Sequence, residues 1–190
     1  MSPDQSLGRQ LGDYLQRWPA EAATVALFRE LLDGHHGGAG NAYVRDRQAG
    51  HFTASAWLVD RTGTRVLLTH HRKLGRWLQL GGHADGDEDL ARVALTEARE
   101  ESGLEGLAVE PVLFDLDRHW IPARGDVPGH WHYDARYVVR AGGSERFVVS
   151  GESLALAWRP IAEIAGDPAA DASLRRMAGK WREGVNRRGR

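Results

Sequence analysis

The 190-residue chain has no cysteine, which excludes disulfides, thiolate zinc sites and cysteine nucleophiles. It also lacks any apolar run long enough to cross a bilayer. Its opening residues, MSPDQSLGRQLGDYLQRW, carry no apolar core like that of a secretory signal, so the expectation is a soluble, cytoplasmic protein. Neither sign of charge is in excess: 25 basic residues stand against 26 acidic ones, for a net charge of −1. No general field marks nucleic acid or an anionic membrane as a partner, and any charged ligand must be held locally. Lysine is nearly missing, present only at Lys73 and Lys180, so almost all the fixed positive charge is the planar fork of arginine.

The apolar residues Leu7, Leu11, Tyr14, Leu15 and Trp18 recur at helical spacing until Pro19 ends the pattern. Ala22, Val25, Phe28, Leu31 and Leu32 continue it as a second helix, which runs out in the flexible stretch His35–Gly40. Residues 1–40 therefore read as an appended helical element, and 41–190 as the main domain. The period then changes. Segments 51–59 and 64–69 are rich in β-formers around a hairpin turn at 60–63, and 77–80 is a short run leading into Gly81-Gly82. A helix is expected over 87–102, with acidic residues in its first turn and Gly103 as its C-cap. Further strands are expected at 108–117, 131–140, 147–149 and 154–159, then a short helix at 160–165 and a last helix over 168–183. Strands mixed with helices imply an α/β/α sandwich.

Glu97, Glu100 and Glu101 stand at i, i+3 and i+4, on one helical face where like charges repel unless a cation or a solvated surface separates them. Leu90, Val93, Ala94 and Ala98 occupy the opposite side and can pack inward. Stacked carboxylates suit a hard divalent cation such as magnesium. The alternative is a solvated acidic face partnered by Arg92 and Arg99.

The segment Gly82–Leu104 resembles the Nudix box: Gly, five residues, Glu, seven residues, then Arg-Glu-apolar-any-Glu-Glu-any-Gly-apolar. Gly82, Glu88, Glu97, Glu100, Glu101, Gly103 and Leu104 all fall in register. A chance match of the Gly and Glu positions has odds on the order of 10⁻⁴. The resemblance spans roughly 52–164, where Trp158-Arg-Pro-Ile-Ala-Glu163 is similar to the family's closing strand and short helix. It departs at Thr96, where the family has an arginine that helps hold the glutamates, at the small Ala98, and at Leu80, where a proline is common. Arg92 or Arg99 is a candidate replacement for that arginine.

The resemblance implies a Nudix-like α/β fold and a hydrolase that cleaves a diphosphate linkage in a nucleoside diphosphate joined to another moiety. It implies Mg²⁺ or Mn²⁺ as cofactor, held by Glu97, Glu100 and Glu101 with a backbone carbonyl at Gly82. Glu152, with Glu145 as the alternative, is a candidate further ligand or general base. An isomerase like the isopentenyl diphosphate isomerases is a second reading, opposed by the missing cysteine. A non-catalytic ligand-binding Nudix domain is a third. Dimers are common among such proteins, and the first two helices could cover their own sheet or that of a homodimer partner.

A second constellation alternates along two strands: Asp115, Asp117 and His119 on one, His130, His132, Asp134 and Arg136 on the next. If residues 120–129 connect them, His119 falls near His130 and Asp117 near His132, with Trp131, Tyr133 and Tyr137 on the other face. Such clusters contact substrate, form cross-strand ion pairs, or bind a transition metal. His83, His119, His130, His132, Asp134 and Arg72 are the candidate substrate-binding residues.

Overall fold

The computed structural model describes residues 6–47, 49–149, 151 and 153–188. Helices α1 (Leu7–Arg17) and α2 (Ala22–His36) come first, joined by a 3₁₀ turn at Pro19–Glu21. Strands β1 (His51–Val59), β2 (Arg65–His71), β3 (Arg76–Leu78) and β4 (Leu80–His83) lead to helix α3 (Leu90–Ser102). Then follow β5 (Leu107–Ile121), β6 (His130–Ala141), β7 (Ser153–Pro160), α4 (Ile161–Gly166) and α5 (Ala172–Arg188). The strands pair in the order β3-β2-β1-β6-β5, with β4 on β1 and β7 on β2, and form a mixed sheet in an α/β fold. Among the described residues no helix is long and apolar enough to cross a membrane.

The chain divides into two compact units, the first made of Met1–Ser55, Gly81–Ala94 and Pro111–Tyr137. Here α1 buries Leu7, Leu11 and Tyr14, and α2 buries Val25, Phe28, Leu31 and Leu32, the stripe that the helical spacing predicts. Phe28 packs against Phe52 of β1 at 6.0 Å and edge-on against Tyr133 of β6 at 5.4 Å between ring centroids. Burying one such ring stabilises the fold by about 1.5–3 kcal/mol. The Tyr137 hydroxyl donates to Gln10 Oε1 at 3.0 Å, which satisfies its one polar atom. The other side of β1 carries His51, Thr53 and Ser55, all buried.

The β5–β6 hairpin closes more tightly than the expected connection over 120–129, on a two-residue turn. Arg124 and Val127 exchange both backbone hydrogen bonds around Gly125 and Asp126, with Gly125 at φ +57°. A two-residue turn that begins with glycine suits the strand twist. It centres the pairing one residue later in the chain, so Trp120 meets Trp131 and His119 meets His132 rather than His130.

The second unit comprises Ala56–Leu80, Leu95–Glu110 and Val138–Arg190. Its core joins Ala56 and Leu58 of β1, Leu67 of β2, Leu80, Ala98 of α3, Leu104, Leu107, Val139, Ala141 and Leu156. Strand β2 pairs antiparallel with β7 from Arg65↔Pro160 to His71↔Ser153, with a bulge at His70–His71, and with β3 through Thr69↔Leu78. The turn at 60–63 is as expected: Gly63 lies at φ +70°, and buried Asp60 accepts from the backbone of Thr64 and Arg65, the Thr62 hydroxyl and Arg65 Nε.

Several elements differ from the expectations; β5 runs on to Ile121 rather than 117, and α5 to Arg188 rather than 183. Helix α3 starts at Leu90 because Asp87 and Asp89 serve as caps: Asp87 accepts from the Asp89 N–H, and Asp89 from the Arg92 N–H. Helix α5 starts at Ala172, since Asp171 accepts from Ser173 N–H and residues 167–170 turn on Asp167. Residues 147–149 form no strand. Phe147 packs on the core while the Val148 N–H donates to the Ser102 carbonyl at 2.8 Å, closing the end of α3.

Candidate functional site

In the second unit, the C-terminal half of α3 presents the acidic side chains. Glu101 is buried at 9% exposure, Glu97 is half-buried and Glu100 is exposed, so the face turns gradually from protein to solvent. Ala98, one turn away, is wholly buried and holds that orientation. The helix stops where the Ser102 hydroxyl bonds back to the Ala98 carbonyl and Gly103 takes φ +66°. A side chain at Gly103 would also crowd Val148, with Cβ atoms 3.2 Å apart. Oxygen donors of this kind and number fit a hard divalent cation.

In the first unit, β4 runs through Gly81 and Gly82. A Cβ at Gly81 would stand 2.4 Å from Ser55 Oγ and 2.6 Å from the Ala54 carbonyl oxygen, so only glycine lets β4 lie this close to β1. The same approach fixes His83 beside His51, with ring centroids 5.2 Å apart.

His51 is 1% exposed, and no well-aligned hydrogen bond reaches either of its ring nitrogens, the Arg47 backbone carbonyl being a polar neighbour. Its ring lies 4.8 Å from His132 and stacks on His130 at 5.0 Å. His83 and His132 are 5.0 Å apart, and His119 is 5.5 Å from His132. His130 Nδ1 meets the Pro128 carbonyl at 2.9 Å and must carry the hydrogen there, which leaves Nε2 to face His132 Nε2 at 3.2 Å. Burial, then the charges of His83 and His130, push His51 down to about 4, with the Arg47 backbone opposing. Burial and the surrounding histidines push His132 down to about 2. Both rings are therefore neutral at neutral pH.

An ion cluster lies along the same strands. Arg136, 3% exposed, reaches Asp134 at 2.7 Å, Asp115 at 3.1 Å and Asp117 at 3.2 Å. Desolvation pulls Arg136 down, but the three carboxylates outweigh it and leave its pKa raised. Asp134 also accepts from Ser55 and Thr53, and Asp117 holds His119 Nδ1 at 3.3 Å.

A family model of the NUDIX domain matches residues 50–178. The chain belongs to the Nudix family. No curated protein matches it. Among solved structures, it is similar to a Nudix-family hydrolase from Clostridium perfringens at 27% identity and TM-score 0.51, covering 69% of this chain and 95% of that one. A C. elegans Ap4A hydrolase shares the fold at 16% identity and TM-score 0.54, covering 71% and 97%. The E. coli dihydroneopterin triphosphate pyrophosphohydrolase shares it at 16% and 0.52, covering 67% and 91%.

Within this Nudix domain, the two arginines weighed as substitutes at Thr96 are engaged elsewhere. Arg92 grips Asp87 with two hydrogen bonds, at 2.6 and 2.8 Å, and Arg99 Nη2 reaches the Leu107 carbonyl at 3.4 Å. Glu88, the first glutamate of the box, lies 3.7 Å from His35 of α2. Arg72 donates to the carbonyls of Gly151 and Ser153, while Glu152 lies outside the described residues. Glu145 binds Arg65 at 2.5 Å and the Arg61 N–H. The structure brings His83, His119, His130 and His132 together and seats Asp134 in the ion cluster. His51 was missed by the sequence reading, although its alternation with Thr53 and Ser55 marks a polar face in an otherwise apolar strand.

Proposed function

We propose that this protein is a divalent-cation-dependent Nudix hydrolase that cleaves the diphosphate linkage of a nucleoside diphosphate joined to a second moiety. The observation that carries the reading is the graded placement of Glu97, Glu100 and Glu101 on the last turns of α3, with every box glutamate in register. Likeness at 27% identity to a Nudix-family hydrolase supports hydrolysis over mere binding.

Glu97, Glu100 and Glu101 would hold Mg²⁺ or Mn²⁺. When bound, such a cation neutralises diphosphate oxygens and makes a water easier to deprotonate. A glutamate of the set, or Glu152, takes the proton from that water. The water oxygen bonds to phosphorus as the bridging P–O bond breaks, giving two phosphate-bearing products. We assign substrate contacts to His83 and His119, which are half-buried. His130 faces His132, and Asp134 acts only through Arg136, which also holds the Asp117 that contacts His119. We take residues 1–40 as an extension and 41–190 as the hydrolase domain.

The test is phosphorus NMR on nucleoside triphosphates, sugar nucleotides, dinucleoside polyphosphates and prenyl diphosphates with Mg²⁺ or Mn²⁺, comparing wild type with Glu101→Gln. Metal-dependent cleavage that falls at least about 100-fold in the variant is expected, since loss of a catalytic group of this type costs 10²–10⁴. Metal-dependent binding without cleavage by wild type would refute hydrolysis and leave a ligand-binding domain.

A further inference from the structure

We propose that His51, His83 and His132 together bind one first-row transition-metal cation of the kind that prefers imidazole, Zn²⁺ or a neighbour. Their donor chemistry is unlike that of the α3 glutamates. One ring nitrogen from each residue lies within 4.8 Å of the others, on three separate strands, β1, β4 and β6. Small ring rotations bring such a set to the roughly 3.3 Å spacing of nitrogens about a tetrahedral centre with bonds of about 2.0–2.1 Å.

Two independent observations point to a ligand. The first is His51, wholly buried at the centre of the group, with the Arg47 carbonyl available to one ring nitrogen at most and no partner of good geometry for the other. Buried polar groups are nearly always paired, and each exception needs an explanation. The position is also fixed: because Gly81 carries no Cβ, β4, and hence His83, lies directly against β1. The second is the tethering of the neighbouring imidazoles. His130 Nδ1 is fixed by the Pro128 carbonyl, and His119 Nδ1 by Asp117, which Arg136 holds in turn. These two anchored rings are not ligands themselves but flank one: His130 Nε2 faces His132 Nε2 at 3.2 Å, and the His119 ring lies 5.5 Å from that of His132.

Only nitrogen donors are offered, which favours Zn²⁺, Co²⁺, Ni²⁺ or Cu²⁺ and disfavours Mg²⁺, a cation that seeks oxygen. Three imidazoles leave a coordination position for water or an anionic oxygen, the arrangement of an open rather than a closed zinc site.

The test is titration of the purified full chain with Co²⁺, read by its visible absorption, and with Zn²⁺ in competition with a chromophoric chelator. Excess Mg²⁺ is present throughout. Saturable binding of one ion per chain is expected, with a Co²⁺ spectrum of nitrogen ligation, retained in Glu101→Gln and weakened at least about 10-fold in His132→Gln and His83→Ala. His83 is half-buried, so its truncation leaves the fold intact, checked by circular dichroism. Zn²⁺ should raise Tm in wild type but not in His83→Ala. A folded wild type with no saturable micromolar binding would overturn the proposal. So would binding that Glu101→Gln abolishes and the histidine variants leave unchanged. Neither result overturns cleavage by the glutamates, which the phosphorus NMR comparison tests separately.

Discussion

Replacing Arg136 by methionine removes a cation from among three carboxylates and keeps much of its volume. The geometry divides the cost. Asp117 has a side chain 23% exposed, so water can take over part of the stabilisation. Asp134 keeps the Ser55 and Thr53 hydroxyls at 2.8 and 3.2 Å. Asp115 is fully buried and loses the guanidinium at 3.1 Å, so the penalty falls mainly there. Breaking a buried pair by removing one partner costs about 3–5 kcal/mol. At about 2–4 °C per kcal/mol for a chain of this size, Tm should fall by about 6–20 °C. Thermal unfolding followed by circular dichroism measures it. Adding Asp115→Asn to the variant should recover about 1 kcal/mol or more, because it removes the buried charge that lost its guanidinium, although Asp115→Asn alone destabilises wild type. A single variant that loses less than about 1 kcal/mol, or a double variant whose losses simply add, would refute the account.

Asp60→Asn should cost about 1–3 kcal/mol at neutral pH, measured by urea unfolding, since the buried carboxylate accepts four hydrogen bonds. Burial raises this group, but those bonds outweigh it and leave its pKa below the usual value. The stability it contributes is therefore complete above about pH 4 and lost as pH falls through the lower folded value, so the gap between variant and wild type should close in acid. A gap that widens in acid would reverse the sign of the argument. Gly81→Ala should destabilise by about 1–3 kcal/mol or more through the clash with Ala54 and Ser55. Gly166→Ala, which meets nothing within 4 Å, should stay within about 0.5 kcal/mol of wild type in the same melts.

Much of this architecture is legible in the chain because it rests on local periodicity. The stripes of α1 and α2, the turn around Gly63 and the glycine end of α3 are each set by residues a few positions apart. The box glutamates are legible for a further reason, the register of seven residues with a family pattern. What escaped was non-local or depended on a single turn. The β5–β6 pairing shifted because the hairpin closes on Gly125 and Asp126, and one turn residue decides every partner above it. The role of His51 could not be read because its neighbours His83 and His132 lie 32 and 81 positions away, and nothing in β1 announces them.

The two faces of β1 are chemically unlike: Phe52 and Ala54 lie on one, His51, Thr53 and Ser55 on the other. Sliding this strand by a single residue would press an imidazole and two hydroxyls beneath the helices and lodge a phenyl ring among the histidines and aspartates. Both errors cost free energy at once. A sheet with one greasy side and one wet side penalises misalignment once per residue. Here both sides are buried, so each wrong alignment is penalised twice, and the polar layer serves as a ruler for assembly before it serves as chemistry.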